Sequence, residues 1–418
     1  MPFSALGFAP TVLPALQRAL KDEGFTAPTE IQTAAIPAVL QGRDVLGSAQ
    51  TGSGKTAAFS LPLLQHITQA AATQPRRTHS LIIVPTRELA VQVGNAINSF
   101  AKYLPQRVKV AVVFGGVSIN PQMMHLRGGA DIVVATPGRL LDLIDSNAVS
   151  IGQISTLVLD EADRLLDLGF GDELGRIVAL LPRKRQNLFF SATFPPAIEA
   201  LANSMLTNPV RVEVLAQPEQ AAEIAQRAIA VDTPRRTQLL RHLIETEKWS
   251  RVLVFAATKH ATEIIAVKLR TAGITAEPFH GELSQGKRTQ VLIDFKAKKL
   301  QVVVATDVAA RGIDIVQLPV VVNYDLPRSA VDYTHRIGRT GRAGESGLAV
   351  SFVTAPMLAH WWLIEKRQTL DVALELVAGF EPTEEVPEPI AASPSNGGVK
   401  GLRPSKKDKL RAAAKHSA

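Results

Sequence analysis

Ala49-Gln50-Thr51-Gly52-Ser53-Gly54-Lys55-Thr56 lies between an apolar run at 44–47 and a helical pattern, and its reading decides the fold. A small residue, four intervening positions and then Gly-Lys-Thr is the pattern of a loop that cradles phosphates. A phosphate chain carries several negative charges, so such a loop must turn its backbone N–H groups inward. Small residues permit that approach, and the helix beginning near Lys55 adds its positive end. Lys55 can then reach the outer phosphates, and the Thr56 hydroxyl can ligate Mg²⁺.

A second segment, Asp160-Glu161-Ala162-Asp163, follows the apolar strand Leu157-Val158-Leu159. Ligands of open α/β sheets collect at the carboxyl ends of strands, so Asp160 is delivered to the same edge as the loop. Asp160 suits Mg²⁺ held through water, an ion that keeps most of its hydration shell. Glu161 is placed to orient and deprotonate the attacking water. Either segment alone is weak evidence. Together, at two strand ends, they imply a site that binds a nucleoside triphosphate with magnesium and splits it.

The strands expected near 44–47, 80–84, 109–114, 131–135, 155–160 and 187–191 alternate with helical patterns, as in a parallel sheet covered on both faces. The alternation then restarts, with strands at 252–255, 302–305, 320–322 and 348–352. Asn208-Pro209 and Gln217-Pro218-Glu219-Gln220 mark a linker between the halves. The expected organisation is a first α/β domain over 1–207, a linker over 208–226, a second domain over 227–380 and a disordered tail over 381–418. A chain of 418 residues is long enough for two such cores with a cleft between them.

The tail is rich in Pro, Glu, Ser and Gly and cannot bury enough apolar surface to offset its ordering entropy. Of the formal charge of +8, residues 400–418 hold +6 and residues 381–399 hold −4, leaving the folded part mildly basic. A polyanionic partner is compatible with that balance but not established by it. The chain has no cysteine, which excludes disulfides and thiolate metal sites. No apolar run approaches the ~18–20 residues of a membrane span, and no targeting signal is evident, so a cytoplasmic protein is expected.

Other strand ends carry polar or glycine-bearing segments. Pro85-Thr86-Arg87, Gly115-Gly116 and Thr136-Pro137-Gly138-Arg139 combine turns, open backbone and cations, which suits a grip on sugar-phosphate. In the second half, Thr306 to Asp314 follows a strand, and His335-Arg336-Ile337-Gly338-Arg339-Thr340-Gly341-Arg342 places three arginines among glycines. Those arginines would repel one another unless they face anions. An arginine reaching across a cleft to a transferring phosphoryl group accelerates its transfer by orders of magnitude.

This ordered motif set resembles that of the DEAD-box RNA helicases of superfamily two, whose name is spelled by Asp160–Asp163, and the likeness covers about residues 3–342. The resemblance implies two tandem RecA-like domains, ATP and Mg²⁺ as cofactors, and RNA as a partner bound with little base specificity. Gly24 to Gln32 is similar to the family's Q motif, which makes Gln32 the reader of adenine beside Phe25. An upstream aromatic, Phe3 or Phe8, would stack on the base. Lys55, Glu161, Arg339 and Arg342 become catalytic, and Gly312 and Asp314 join the nucleotide contacts. Ser191, Thr193, Asp163 and His335 would couple hydrolysis to strand separation. Pro85, Thr86, Arg87, Gly116, Thr136, Pro137, Arg139, Thr258, Gln285, Arg288 and Thr306 would line the RNA path.

Within the family, the short tail most resembles the compact bacterial RhlE-like subgroup. The resemblance implies local unwinding of short RNA duplexes by a monomer, in the company of ribosome-assembly or RNA-decay proteins. An ATP-gated RNA clamp without strand separation uses the same motifs, and so in part does a DNA translocase.

Overall fold

A computed structural model of the chain describes residues 2–49, 52–70, 73, 75–214, 224–310, 318–341 and 346–384. The first lobe is built on β1 (Val45–Ser48), β2 (Ser80–Ile83), β3 (Val110–Val113), β4 (Ile132–Ala135), β5 (Thr156–Asp160), β6 (Gln186–Ser191) and β7 (Val210–Glu213). They form one sheet in the order β3-β4-β2-β5-β6-β1-β7, and every pairing is parallel. The central strands read as unbroken apolar runs because helices cover both faces. One core lies on each side, around Phe59 and Phe190 on one face and Phe189, Leu140 and Leu165 on the other.

The second lobe repeats the plan with β8 (Ile224–Ala230), β9 (Val252–Phe255), β10 (Ala276–Phe279), β11 (Val302–Ala305), β12 (Val320–Asn323), β13 (Gly347–Val353) and β14 (Leu374–Glu375). Its parallel order is β10-β11-β9-β12-β13-β8-β14. Register aligns Phe255, Ala305 and Asn323, so the loops after β9, β11 and β12 leave from one edge. In the first lobe Ile83, Ala135 and Val113 are aligned in the same way. The two carboxyl edges share a cleft.

The domain limits differ from those expected. Val210–Glu213 pairs with β1, and Ile224–Ala230 pairs with β13, so the span 208–226 is sheet at both ends. Residues 215–223 between them lie outside the described residues. The second lobe also runs past 380. Thr383 donates from its N–H and hydroxyl to Asp232, each at 2.8 Å, and Glu384 accepts from the Thr233 N–H at 3.0 Å. The rest of the expected tail, 385–418, lies outside the described residues.

Candidate ATPase site and RNA path

The phosphate loop leaves β1 at Ala49 and enters the helix Lys55–Gln69 through Gly54, whose φ of +95° suits only glycine. Gln50 and Thr51 lie outside the described residues; Gly52, Ser53 and Gly54 form the visible turn. Lys55 is buried and its Nζ donates to the Ala49 carbonyl at 2.7 Å, which holds an ammonium inside the loop. Thr56 follows in the first helical turn, where its hydroxyl belongs to the same helix end.

Gln32 braces this loop from behind. Its Oε1 accepts the Thr29 N–H at 3.0 Å and its Nε2 donates to the Gly54 carbonyl at 3.2 Å, while Thr29 Oγ1 donates to the Ser53 carbonyl at 2.7 Å. Thr29 and Gln32 are also the capping box of the helix Glu30–Leu40. Gln32 itself is fully buried in this brace. Phe3 and Phe8, the rings expected to stack on the base, are both buried in the first lobe's core. Phe25 is half-buried, edge-on to Phe100 at 5.8 Å between centroids.

Asp160 ends β5 and is buried. Burial pushes its carboxyl up to about 7, against the pull of Lys55 and with the neighbouring Glu161 carboxylate adding to the rise. Glu161 stands in the left-handed region at φ +51°, a conformation that non-glycine residues hold at a cost and that clusters at functional sites. It turns the chain into the helix Ala162–Asp167. Asp163 accepts from the Thr193 N–H at 3.2 Å and the Thr193 hydroxyl at 2.8 Å, and its own N–H donates to Ser191 Oγ at 3.3 Å. The Ser191–Thr193 segment is thus tied directly to the acidic tetrad.

The second lobe closes the site. Lys55, Glu161, Asp163 and Ala192 share one pocket with Phe255, Asp307, His335 and Arg339. Arg339 is buried there, and His335 turns a buried Nδ1 without a hydrogen-bond partner into the same region. Arg336, the first of the three arginines, faces protein: it is bidentate on Asp307 at 2.5 and 2.7 Å and donates to Asn323 and the Asp325 carbonyl. Arg342, Gly312 and Asp314 lie outside the described residues. Across the cleft, Arg164 approaches Asp332 at 3.5 Å.

Along the expected RNA path, Thr86 caps the helix Arg87–Ala101 behind the buried Pro85, and the Arg87 guanidinium lies over Gly116, where a Cβ would strike it. Thr136 Oγ1 accepts the Gly115 N–H at 3.3 Å at the start of the helix Pro137–Asp145. Arg139, buried, donates to the Val117 carbonyl at 2.7 Å. All of these lie at the carboxyl ends of β2, β3 and β4, where Gly116 and in part Arg87 are open to solvent and Pro85, Thr86, Thr136, Pro137 and Arg139 are buried. Thr258, exposed, caps the helix Lys259–Thr271, and Thr306 follows β11.

Arg288 is a correction. It is buried, not open to RNA: its Nη2 pairs with Glu88 Oε2 of the first lobe at 2.8 Å, and the guanidinium lies over the Phe279 ring at 5.0 Å. Gln285, one turn earlier, holds a buried Oε1 without a partner, so it too points inward. Glu88 was missed in the sequence; an acid beside Arg87 in an otherwise basic path was the available signal.

The family model for the DEAD/DEAH box helicase matches residues 29–201, and that for the helicase conserved C-terminal domain matches 235–344. The chain is 42% identical over 355 residues to the ATP-dependent rRNA helicase rrp3 of Emericella nidulans, spanning 85% of this chain and 75% of that protein. It belongs to the DEAD/DEAH box helicase family. Membership makes it an ATP-dependent RNA helicase, an RNA-dependent ATPase by class.

The ATP-dependent RNA helicase DeaD of Mycobacterium tuberculosis is likewise 42% identical, over 89% of this chain and 64% of its own. Among solved structures, Saccharomyces cerevisiae Dbp5 bound to RNA and ADP BeF3 superposes with a TM-score of 0.77 at 30% identity, over 90% of this chain and 95% of that one. The DEAD box protein of Methanococcus jannaschii superposes at 0.50 with 35% identity, over 90% and 99%. The DEAD-box helicase fold therefore spans both lobes described above.

Asp160 carries a folded-state value above its ordinary 3.8, so its ionisation opposes folding, and this loss of stability sets in as pH rises from about 4 to about 7. Asp160→Asn keeps the acceptor for the Glu161 N–H and removes the charge. Ligand-free Asp160→Asn should melt higher than the parent at pH 8, with the gap closing on acidification and ATP hydrolysis lost. Thermal melts at both pH values check it.

Proposed function

We propose that this helicase works as an ATP-gated clamp on the RNA backbone that opens short duplexes locally. The supporting observation is the pocket walled by Lys55 and Glu161 from one lobe and Arg339 from the other. Neither lobe holds enough positive charge alone to neutralise a triphosphate in its transition state, so catalysis requires the lobes together. Lys55 binds the outer phosphates, Glu161 orients and deprotonates water, and Arg339 with Arg342 meets the charge that develops on the transferred group. Gly312 and Asp314 complete the nucleotide contacts from the sequence pattern.

Magnesium fits the donors present. Among the described residues no cluster of three His, Cys, Asp or Glu exists. A cation at Thr56 and Asp160 would therefore take its other ligands from water and phosphate, as Mg²⁺ does. When bound, the ion would neutralise phosphate charge.

RNA is read through sugar and phosphate along Arg87, Thr136 and Thr258, with little base specificity. The Asp163–Thr193 bonds join the tetrad to the segment through which hydrolysis would loosen the grip. The rrp3 relatives carry rRNA in their names, which supports ribosomal RNA as a substrate and, with it, ribosome-assembly proteins as partners.

Glu161→Gln should bind ATP and RNA normally while hydrolysis falls by at least about a hundredfold, the scale of a lost general base; single-turnover assays with filter-binding controls check this. Arg288→Gln leaves Glu88 buried and uncompensated. It should weaken RNA affinity in the presence of a non-hydrolysable ATP analogue by about tenfold or more, and adding Glu88→Gln should restore part of it. Absence of any restoration in that double-mutant cycle would instead make Arg288 a direct RNA contact.

A further inference from the structure

The first sheet has a second edge, at the amino-terminal ends of its strands, away from the ATP and RNA loops. There the chain leading into β2 and β4, and the turn that precedes β5, enclose a groove of about 890 Å³. Arg76, Arg77 and Arg127 stand on its walls with Met123, Met124 and Val149. No carboxylate and no aromatic ring is among the described residues that line it. Arg76 is committed to Asp131 at 2.5 Å. Arg77 donates only to the Gln153 carbonyl, at 3.1 Å, and among the described residues no carboxylate pairs with Arg77 or Arg127. Met124 is 64% exposed.

Two guanidinium groups without carboxylates stand beside the exposed thioether of Met124 and the half-buried Met123 and Val149, an arrangement that suits an anionic peptide with an apolar side chain. Guanidinium forks take carboxylates in bidentate geometry. Methionine adapts to apolar side chains of varied shape. A single-stranded nucleic acid would call for aromatic platforms, which these walls lack. We propose that this groove docks an acidic peptide segment of a partner protein, its carboxylates on Arg77 and Arg127 and an apolar side chain against Met123, Met124 and Val149.

The chain's own acidic run starts on the second lobe, where Glu384 is bonded to Thr233. The proposal goes beyond the helicase reading, since peptide capture at this edge needs neither ATP nor RNA. A backbone-reading clamp carries no address of its own, and such a groove supplies one.

The test is fluorescence anisotropy on the full chain with a fluorescein-labelled synthetic peptide of Asp, Glu, Leu and Met spaced by Ser and Gly. Parallel arms use its Asn/Gln counterpart, a peptide of residues 381–393 and a single-stranded RNA. The acidic peptide should bind with an affinity that falls as salt rises, and the amide counterpart at least about tenfold more weakly. Arg77→Glu combined with Arg127→Glu should lose the acidic peptide by a similar factor while RNA-stimulated ATP hydrolysis is unchanged, which reports separately on the helicase reading.

Failure of the acidic peptide to bind, or equal binding by the variant, overturns the proposal. Tighter binding of the 381–393 peptide would make this chain's own acidic run the occupant. A matching loss of RNA affinity in the variant would make the groove an RNA surface. Either result also overturns it.

Discussion

Buried charge at the facing edges of two parallel sheets is the constraint on which the rest of this molecule depends. Lys55, Asp160, Asp163, Arg288, Arg336 and Arg339 are all buried, and each must be matched by another charge, a hydrogen bond or a ligand. Some are matched within the protein, as Arg336 is by Asp307 and Asp163 is by Thr193. Lys55, which donates to the Ala49 carbonyl, and Arg339 also wall one pocket between the lobes, with Glu161 beside them. A protein arranged this way has a closed state that substrates complete.

That arrangement also explains the economy of contacts between the lobes. Two ion pairs cross the cleft among the described residues, Glu88–Arg288 and Arg164–Asp332. Each belongs to a segment that also serves the chemistry: Glu88 is next to Arg87 on the RNA path, and Arg164 is next to Asp163 of the tetrad. Opening the lobes breaks both pairs and exposes all four groups to water.

Much of this was legible in the sequence because the relevant physics is local. An apolar run, a small-residue loop and a helix start fix β1, the phosphate loop and Lys55 within a dozen positions. Two of the edge strands, β7 and β10, were less legible. Val210-Arg211-Val212-Glu213 alternates apolar and charged residues, and Ala276-Glu277-Pro278-Phe279 contains a proline tolerated only at a sheet edge; neither is an apolar run. Arg288 was misread for a different reason. The family resemblance placed it on the RNA path, but only the docking of the two lobes brings it onto Glu88. Phe3 and Phe8 show the same limit, because a ring that can stack on a base can equally fill a core.

Steady-state ATP hydrolysis without nucleic acid, with single-stranded RNA and with DNA of matching sequence tests the central claim most directly. A site split between lobes that RNA draws together predicts strong stimulation by RNA and little by DNA. Equal stimulation by DNA, or turnover indifferent to both, would contradict it.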